Sequence, residues 1–399
     1  DRLFVKKSLW QSEYMTENNL LPVAAYTQQQ FFELELRHIF SETWAFVGFV
    51  EELQNDGDYL TVQAGLNNLV VIKNGKQLVA FHNRCKHRGT QLVEGKGNTR
   101  GKLTCPYHDW TYNTQGELKS LPKQKQEFAG LDKACYNLTA ANVGIWRGMI
   151  WVHPDINATP LSQWFAPIND HLGPHDVESL IESKDDIVVE EINANWKIVA
   201  ENYIDHYHLA QLHAGTLSMY NHKKAEFGFE GPHFRFWEPL SDDYQKDLAK
   251  NSPMPLVYEA SDENKGTWVP LLFPAIGLAE SESSWSIFQI IPIAVDKTRV
   301  VVRTKVANRS GFEFMKQSAL SASYWGNKIK AKSGNHDAKH ALGSADFMQE
   351  DIYVCEQLQK AMQSPYFDMG PSALHGELPI RQHQKLVWDW VGEYFQSSN

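Results

Sequence analysis

Cysteine is scarce in this chain, four residues in 399, which excludes a disulfide framework as the source of its stability. No apolar run approaches the length needed to cross a bilayer as a helix. Positive charge is in deficit as well: 38 Lys and Arg against 48 Asp and Glu leave a formal net charge of -10. Nucleic acid and anionic membrane both call for concentrated positive charge, so neither is expected as a partner. Residues Asp1 to Trp10 hold two lysines but no apolar signal-peptide core, and the missing initiator Met points to a few trimmed residues. A soluble, cytoplasmic protein is expected.

What the chain does have is ordinary globular composition, 42% apolar and 12% aromatic, long enough for two domains with separate cores. There is no internal repeat and no low-complexity tract. Gln28 to Trp44 reads as an amphipathic helix, and strand signals then dominate. Leu69 to Phe81 is two apolar, β-branched runs around Asn74-Gly75, a strong hairpin signal. Tyr112 to Leu118 suggests another turn, and Val143 to Val152 a strand pair broken at Gly148. This part reads as a small all-β domain ending near residue 155.

Beyond His153-Pro154 the texture changes. Leu161 to His171 reads as helix, Asp186 to Glu191 as strand and Trp196 to Leu212 as helix. Several strands follow between Phe227 and Val306, including Ser286 to Pro292 and Thr298 to Val306. Helices are then expected over Gly311 to Lys330 and Ala345 to Ser364. Helices segregated around an antiparallel sheet make an α+β domain.

Two of the cysteines, Cys135 and Cys355, stand alone and are expected to be small buried hydrophobes. The other two do not stand alone. Cys85-x-His87 is followed after seventeen residues by Cys105-x-x-His108. Each pair can fold as a tight loop that aims one thiolate and one imidazole at a shared centre. Two Cys and two His suit a Rieske-type [2Fe-2S] cluster, in which imidazoles hold one iron and raise the potential. A structural zinc site uses the same ligand types. Finger-like zinc sites, however, group Cys with Cys and His with His, and no finger helix is in view. The glycines at Gly95, Gly97 and Gly101 have the wrong spacing for a dinucleotide fingerprint and read as a flexible excursion. With no other nicotinamide-binding signal, electrons must come from another protein.

A second constellation lies in Asn195 to His213. Trp196, Val199, Ala200, Tyr203, Ile204 and Tyr207 form an apolar stripe at helical spacing, with Glu201, Asp205 and His208 along its edge. His213 follows at the helix end. Two His and a carboxylate with open positions describe a non-haem Fe(II) site, although His206, His208 and His213 equally fit a solvated polar face. The third ligand must come from elsewhere. In the later helix, Phe347, Val354, Cys355, Leu358 and Met362 define an inward stripe. Asp351 falls within that stripe, while Asp346 and Glu350 fall outside it. A buried carboxylate needs a metal or a basic partner, and both remain open on spacing alone.

With both constellations in place, nearly the whole chain resembles the oxygenase (alpha) subunits of Rieske non-haem iron oxygenases. Cys85-x-His87 and Cys105-x-x-His108 match that family's cluster motif. Glu201-Asn202-x-x-Asp205-x-x-His208-x4-His213 matches its iron motif, and Glu350-Asp351 its late acidic pair. The resemblance implies that His208, His213 and Asp351 hold iron, with Asn202 and Asp205 taking part in catalysis. It also implies a Rieske domain at 43–155, a helix-grip catalytic domain at 156–399, and a segment 1–42 packing on the latter. It further implies a homotrimer in which Asp205 bridges His208 of one subunit and His108 of another. Substrate and O2 would meet at the iron, with electrons from a separate reductase or ferredoxin. Asp109 departs from the family, which typically has Gly there. The residues 355–378 resemble those of choline, betaine and carnitine monooxygenases. Quaternary ammonium compounds and aromatic acids are thus the two substrate groups expected. Thirteen Trp leave room for a cation–π cage, and Tyr203, Phe234 to Trp237 and Trp285 to Phe288 are the expected pocket lining. The competing expectation is a non-catalytic helix-grip ligand-binding protein with structural zinc at the Cys/His loops.

Overall fold

The computed structural model describes residues 21–251, 256–259, 261, 264–308, 310–312, 315 and 336–397. The chain divides into two compact units, residues 33–169 and residues 1–32 with 170–399.

The smaller unit is built on ten strands: β1 (Ala45–Phe49), β2 (Asp58–Ala64), β3 (Asn67–Asn74), β4 (Gln77–His82), β5 (Lys96–Asn98), β6 (Lys102–Thr104), β7 (Thr111–Asn113), β8 (Leu118–Ser120), β9 (Ala140–Trp146) and β10 (Met149–His153). Seven form one antiparallel sheet in the order β1-β10-β9-β4-β3-β2-β5, and β6-β7-β8 form another. The hairpin expected at Asn74-Gly75 is present, with Asn74 paired to Gln77 and Gly75 at φ 62°. Residues Leu69 to Ile72 are all fully buried because β3 has a core on each face. Leu69 and Val71 face Leu60, Ala80 and Ile150, while Val70 and Ile72 face Phe81, Trp110 and Tyr112. That second core also takes in Cys85 and Cys105, so the two Cys/His loops are anchored on packed aromatic and aliphatic side chains. The Gly95 to Gly101 stretch is not an excursion: β5 pairs with β2, Asp58 opposite Asn98. At Gly97 an added Cβ would sit 2.9 Å from the Tyr59 hydroxyl, so that ring would have to shift to admit any other residue.

The larger unit carries β11 (Ile181–Glu182), β12 (Val188–Ile192), β13 (Glu226–Glu230), β14 (His233–Pro239), β15 (Gly266–Trp268), β16 (Leu271–Leu272), β17 (Ile276–Glu280), β18 (Trp285–Ala294) and β19 (Lys297–Val306). They form one nine-stranded sheet with the path β11-β19-β18-β17-β15-β14-β13; β12 adds to β19, and β16 bridges β14 and β17. The unit also carries helices α1 (Trp196–Ile204), α2 (Leu209–Leu212), α3 (Phe347–Met362) and α4 (Leu378–Ser397), of which α1, α3 and α4 touch the sheet. Helix α1 touches β16, β18 and β19 as well as α3 and α4, which gives the α+β layering. The helix expected over 311–330 lies outside the described residues, apart from 311, 312 and 315.

Several local expectations need correction. The single helix over 196–212 is two. Asp205 leaves helical space (φ -76°, ψ 112°), so α1 ends at Ile204 and α2 starts only after His208. Tyr207, placed on the inward stripe, is 59% exposed, whereas Lys197 and Glu201 of α1 are buried. Both are accommodated by the N-terminal segment. The Tyr26 hydroxyl donates to Glu201 Oε1 (2.7 Å), and the Lys197 ammonium lies 5.0, 5.4 and 5.5 Å from the Tyr26, Phe31 and Trp196 rings. The aromatic cage visible in this unit therefore surrounds the protein's own lysine. Asn195 Oδ1 takes a hydrogen bond from that ammonium at 2.7 Å and caps α1 through the Lys197 N–H. Tyr26 is also joined to α3 and α4, by Gln359 to its carbonyl and by Gln384 to its hydroxyl. Cys355 is buried as expected, but Cys135 is exposed on a short 3-10 turn, with its Sγ toward Asp132.

Candidate metal centres

The two Cys/His loops of the smaller unit have the same backbone plan. In each, the Cys N–H donates to the carbonyl five residues on, Thr90 or Trp110 (both 2.8 Å). The N–H four residues on, Gly89 or Asp109, returns to the Cys carbonyl at 2.9 and 3.1 Å. Closing so tight a loop requires left-handed backbone at that position, and both residues adopt it: φ 82° at Gly89 and 56° at Asp109. This explains why glycine is favoured at position 109. Asp, with a short side chain, is among the few non-glycine residues that tolerate that region.

The loops bring the His87 and His108 rings to 4.7 Å centroid separation, with His87 stacked on Trp110 at 5.0 Å. His87 Nδ1 is buried and has no hydrogen-bond partner among the described residues. Such an orphaned acceptor is what a metal ligand looks like before its metal is counted. Cys85 Sγ lies 3.3 Å from the Tyr112 hydroxyl, which in turn accepts the Lys86 N–H at 3.0 Å. Burial pushes the Cys85 thiol up, a cost that ligation by iron removes. Beside His87 and His108 a recess of about 300 Å³ opens, lined also by Asp109, Trp110, Lys123 and Phe128. The donor set fits the two irons of a Rieske cluster better than one zinc. A tetrahedral zinc gathers its ligand atoms to roughly 3–4 Å of one another. Among the described residues, only His208, His213 and Asp351 form a group of three or more donors gathered within 4.8 Å. Because a Tyr hydroxyl donating to a cluster thiolate stabilises the reduced form, Tyr112→Phe is expected to lower the midpoint potential with the cluster retained. A spectroscopic redox titration of the two proteins reads this directly.

The second site is built by α2, its flanks and the first turns of α3. The break at Asp205 lets the chain turn. Asp205 Oδ1 accepts the Tyr207 N–H (2.7 Å) and Oδ2 accepts from His208 Nδ1 (3.0 Å). His208 Nε2 and His213 Nε2 then lie 3.6 and 3.0 Å from Asp351 Oδ1. Two imidazoles and one carboxylate converge, which is the donor set of a facial iron triad. Asn202 sits half-buried in the last turn of α1, where its carbonyl accepts the Asp205 N–H (3.3 Å). Glu201, expected beside this group, is instead turned to Tyr26.

The expected inward stripe of α3 is met at Cys355 and Met362 and missed elsewhere. Phe347 and Leu358 are 39% exposed, and the buried positions are Glu350, Cys355, Gln359 and Met362. Glu350, expected to face outward, is fully buried, and the Asp351 side chain is 26% exposed. Asp346 caps the helix by accepting from the Met348 and Gln349 N–H groups. Burial pushes the His213 imidazole down, but the Asp351 and Glu350 carboxylates outweigh it and hold its pKa above the usual value. In the metal-free protein this raised pKa stabilises the fold below the unfolded histidine's pKa, and the benefit fades as pH rises through the folded value. Iron must displace the Nε2 proton, so Fe(II) affinity is expected to fall as pH drops below the raised His213 pKa. Equilibrium Fe(II) titrations across pH check this; a flat profile contradicts it.

The expected pocket lining is divided. Phe234, Phe236, Trp285, Ser286 and Ile287 are buried, with Trp285 donating to Glu280 (2.8 Å). Tyr203, Arg235, Trp237 and Phe288 are half-buried. The Tyr203 hydroxyl donates to the Leu278 carbonyl at 2.6 Å, and burial pushes its pKa well up, so it stays a neutral donor.

Residues 175–393, more than half of the chain, match the ring hydroxylating alpha subunit (catalytic domain) family, and residues 43–140 match the Rieske [2Fe-2S] domain. The chain belongs to the ring-hydroxylating alpha-subunit family, with a Rieske [2Fe-2S] domain ahead of the catalytic one. It is 34% identical over 200 residues to the glycine betaine monooxygenase oxygenase subunit of Chromohalobacter salexigens, an alignment covering 50% of this chain and 44% of that one. It is 33% identical over 198 residues to the carnitine monooxygenase oxygenase subunit of Acinetobacter pittii, covering 49% and 52%. Benzene 1,2-dioxygenase subunit alpha of Pseudomonas putida is 30% identical over 197 residues, covering 48% and 43%. The chain thus spans about half the length of the curated relatives it matches. The fold is shared with a quaternary ammonium Rieske monooxygenase solved with L-carnitine, at TM-score 0.71 and 20% identity over 94% of this chain and 97% of that one. Naphthalene 1,2-dioxygenase with indole bound gives 0.67 and 19%, over 95% and 92%. Among the described residues no helix is long and apolar enough to cross a membrane.

Proposed function

We propose that this protein is the terminal oxygenase component of a Rieske oxygenase system. It would use O2 and electrons from a separate reductase or ferredoxin to hydroxylate, dihydroxylate or demethylate a small organic substrate. The observation that carries the reading is the convergence of His208, His213 and Asp351 in a chain that also holds the Cys85, His87, Cys105 and His108 loops. Those loop residues would hold the [2Fe-2S] cluster and the triad the iron, which together supply electron delivery and O2 activation. The protein's own part is to fix the ligands and to limit water. Asp205 orients His208 through Nδ1, and Tyr112 holds the Cys85 side of the cluster loop.

Cluster binding is assigned to residues 43–155 and oxygen chemistry to 156–399, with 1–42 packing on the latter. Assembly as a homotrimer, with Asp205 linking His208 to His108 of a neighbouring copy, and a cytoplasmic location complete the reading. A quaternary ammonium substrate is favoured, because relatives at 33–34% identity are named for glycine betaine and carnitine. Aromatic substrates are the second reading, supported by the benzene dioxygenase relative at 30%. The reduced protein is expected to contain three irons and two acid-labile sulfides per chain and to give a Rieske-type EPR signal. Supplied with electrons and O2, it should consume glycine betaine or carnitine and leave benzoate untouched. The reverse preference moves the substrate to the aromatic group; a colourless, zinc-only protein ends the oxygenase reading.

A further inference from the structure

The two imidazoles of the triad are held in the same way from behind, by different carboxylates. His208 Nδ1 meets Asp205 at 3.0 Å, and His213 Nδ1 meets Glu350 Oε2 at 2.8 Å. The two supports differ in environment. The Asp205 side chain is 13% exposed, whereas those of Glu350 and His213 are each 1% exposed. Glu350 Oε2 also accepts from the Thr216 hydroxyl at 3.0 Å, while Glu350 Oε1 is buried with no hydrogen-bond partner among the described residues. Capping does not explain this glutamate, since Asp346 already satisfies the first free N–H groups of α3. A carboxylate buried with one oxygen unmet is costly to a fold unless positive charge lies close by.

We infer that Glu350 is a positioning residue for the iron. It fixes His213 with Nδ1 protonated and Nε2 directed at the metal, and it supplies buried negative charge that iron compensates through the imidazole. Thr216 holds the carboxylate in the orientation this requires. The inference rests on the iron reading above, and it separates two roles that a buried residue can play. A group kept for the fold stabilises the metal-free protein; a group kept for the metal does not.

The test is Glu350→Gln, which keeps the shape and removes the charge. Fe(II) affinity, measured by competition with a chromophoric chelator, is expected to weaken ~10–100-fold, the usual cost of losing such a support. The EPR signal of the Fe(II)–nitric oxide adduct should change in rhombicity. At alkaline pH, where the His213 imidazole is neutral, the metal-free variant should melt no lower than the metal-free wild type. Thr216→Val, which leaves the carboxylate in place, should weaken Fe(II) binding less than tenfold. Wild-type affinity and an unchanged EPR signal in Glu350→Gln would overturn the inference. So would a weaker affinity matched by an equal loss of stability in the metal-free protein. No step depends on substrate. A wild type that binds Fe(II) but turns over none of the compounds tried leaves the inference standing on its affinity data. A wild type that takes up no Fe(II) at His208, His213 and Asp351 overturns both it and the oxygenase reading.

Discussion

Asp205→Asn is expected to keep both metal centres and lose turnover by ~100-fold or more, at or beyond the upper end of what losing a ligand's support costs. Asparagine can still accept the Tyr207 N–H through its carbonyl oxygen, so the turn that ends α1 should persist. What is lost is the charge facing His208 Nδ1. In the trimer reading the same charge faces His108 of a neighbouring subunit, so its removal cuts the path between centres while leaving each in place. Asp205→Ala removes the turn contact as well, and a deeper defect with some iron loss is expected there. The decisive measurement is product formed per iron. Wild-type turnover in Asp205→Asn would show that the link between His208 and this carboxylate carries no function.

The second large effect is expected at Asp351. Asp351→Ala removes the one oxygen that approaches both His208 Nε2 and His213 Nε2. Iron content should fall from three per chain to two with both acid-labile sulfides retained, and substrate oxidation should be abolished. The Rieske-type EPR signal is the internal control, because Cys85, His87, Cys105 and His108 belong to the other compact unit. Loss of the cluster together with the iron would mean that the substitution unfolds the chain rather than emptying one site.

Much of this was legible in the sequence, for identifiable reasons. The hairpin at Asn74-Gly75 could be read because positive φ at a two-residue turn selects such residues. The Cys/His loops could be read because metal ligands combine rare residue types at short, fixed spacing. The break at Asp205 could not, because nothing local forbids a helix through Asp-His-Tyr-His. There the side chain's bond to the Tyr207 N–H replaces a helical turn. The stripe of α3 was read only at Cys355 and Met362, because exposed Phe347 and Leu358 look like core, while the buried Glu350 and Gln359 bond to distant partners, His213, Asn195 and Tyr26. Glu201 misled for the same reason, its partner being Tyr26. Polar residues that bury against remote segments leave no periodic trace. Asp109 shows the opposite case, in which an apparent departure becomes intelligible once Gly89 is seen in the same left-handed position of the sister loop.

His213 and Asp351 are 138 residues apart in the chain. An ion held between them is therefore a removable cross-link, closing a loop as a disulfide would in a chain that has none among its described residues. For a closed loop of that size, chain-entropy arguments place the effect of a permanent link near ~5 kcal/mol. A metal link instead stabilises the fold by an amount that grows with the logarithm of free iron over its dissociation constant, which pH shifts. Chelators should then act on this protein as reductants act on disulfide-bonded ones. The iron supply of the surroundings would set how long the folded chain lasts as well as how much of it is active.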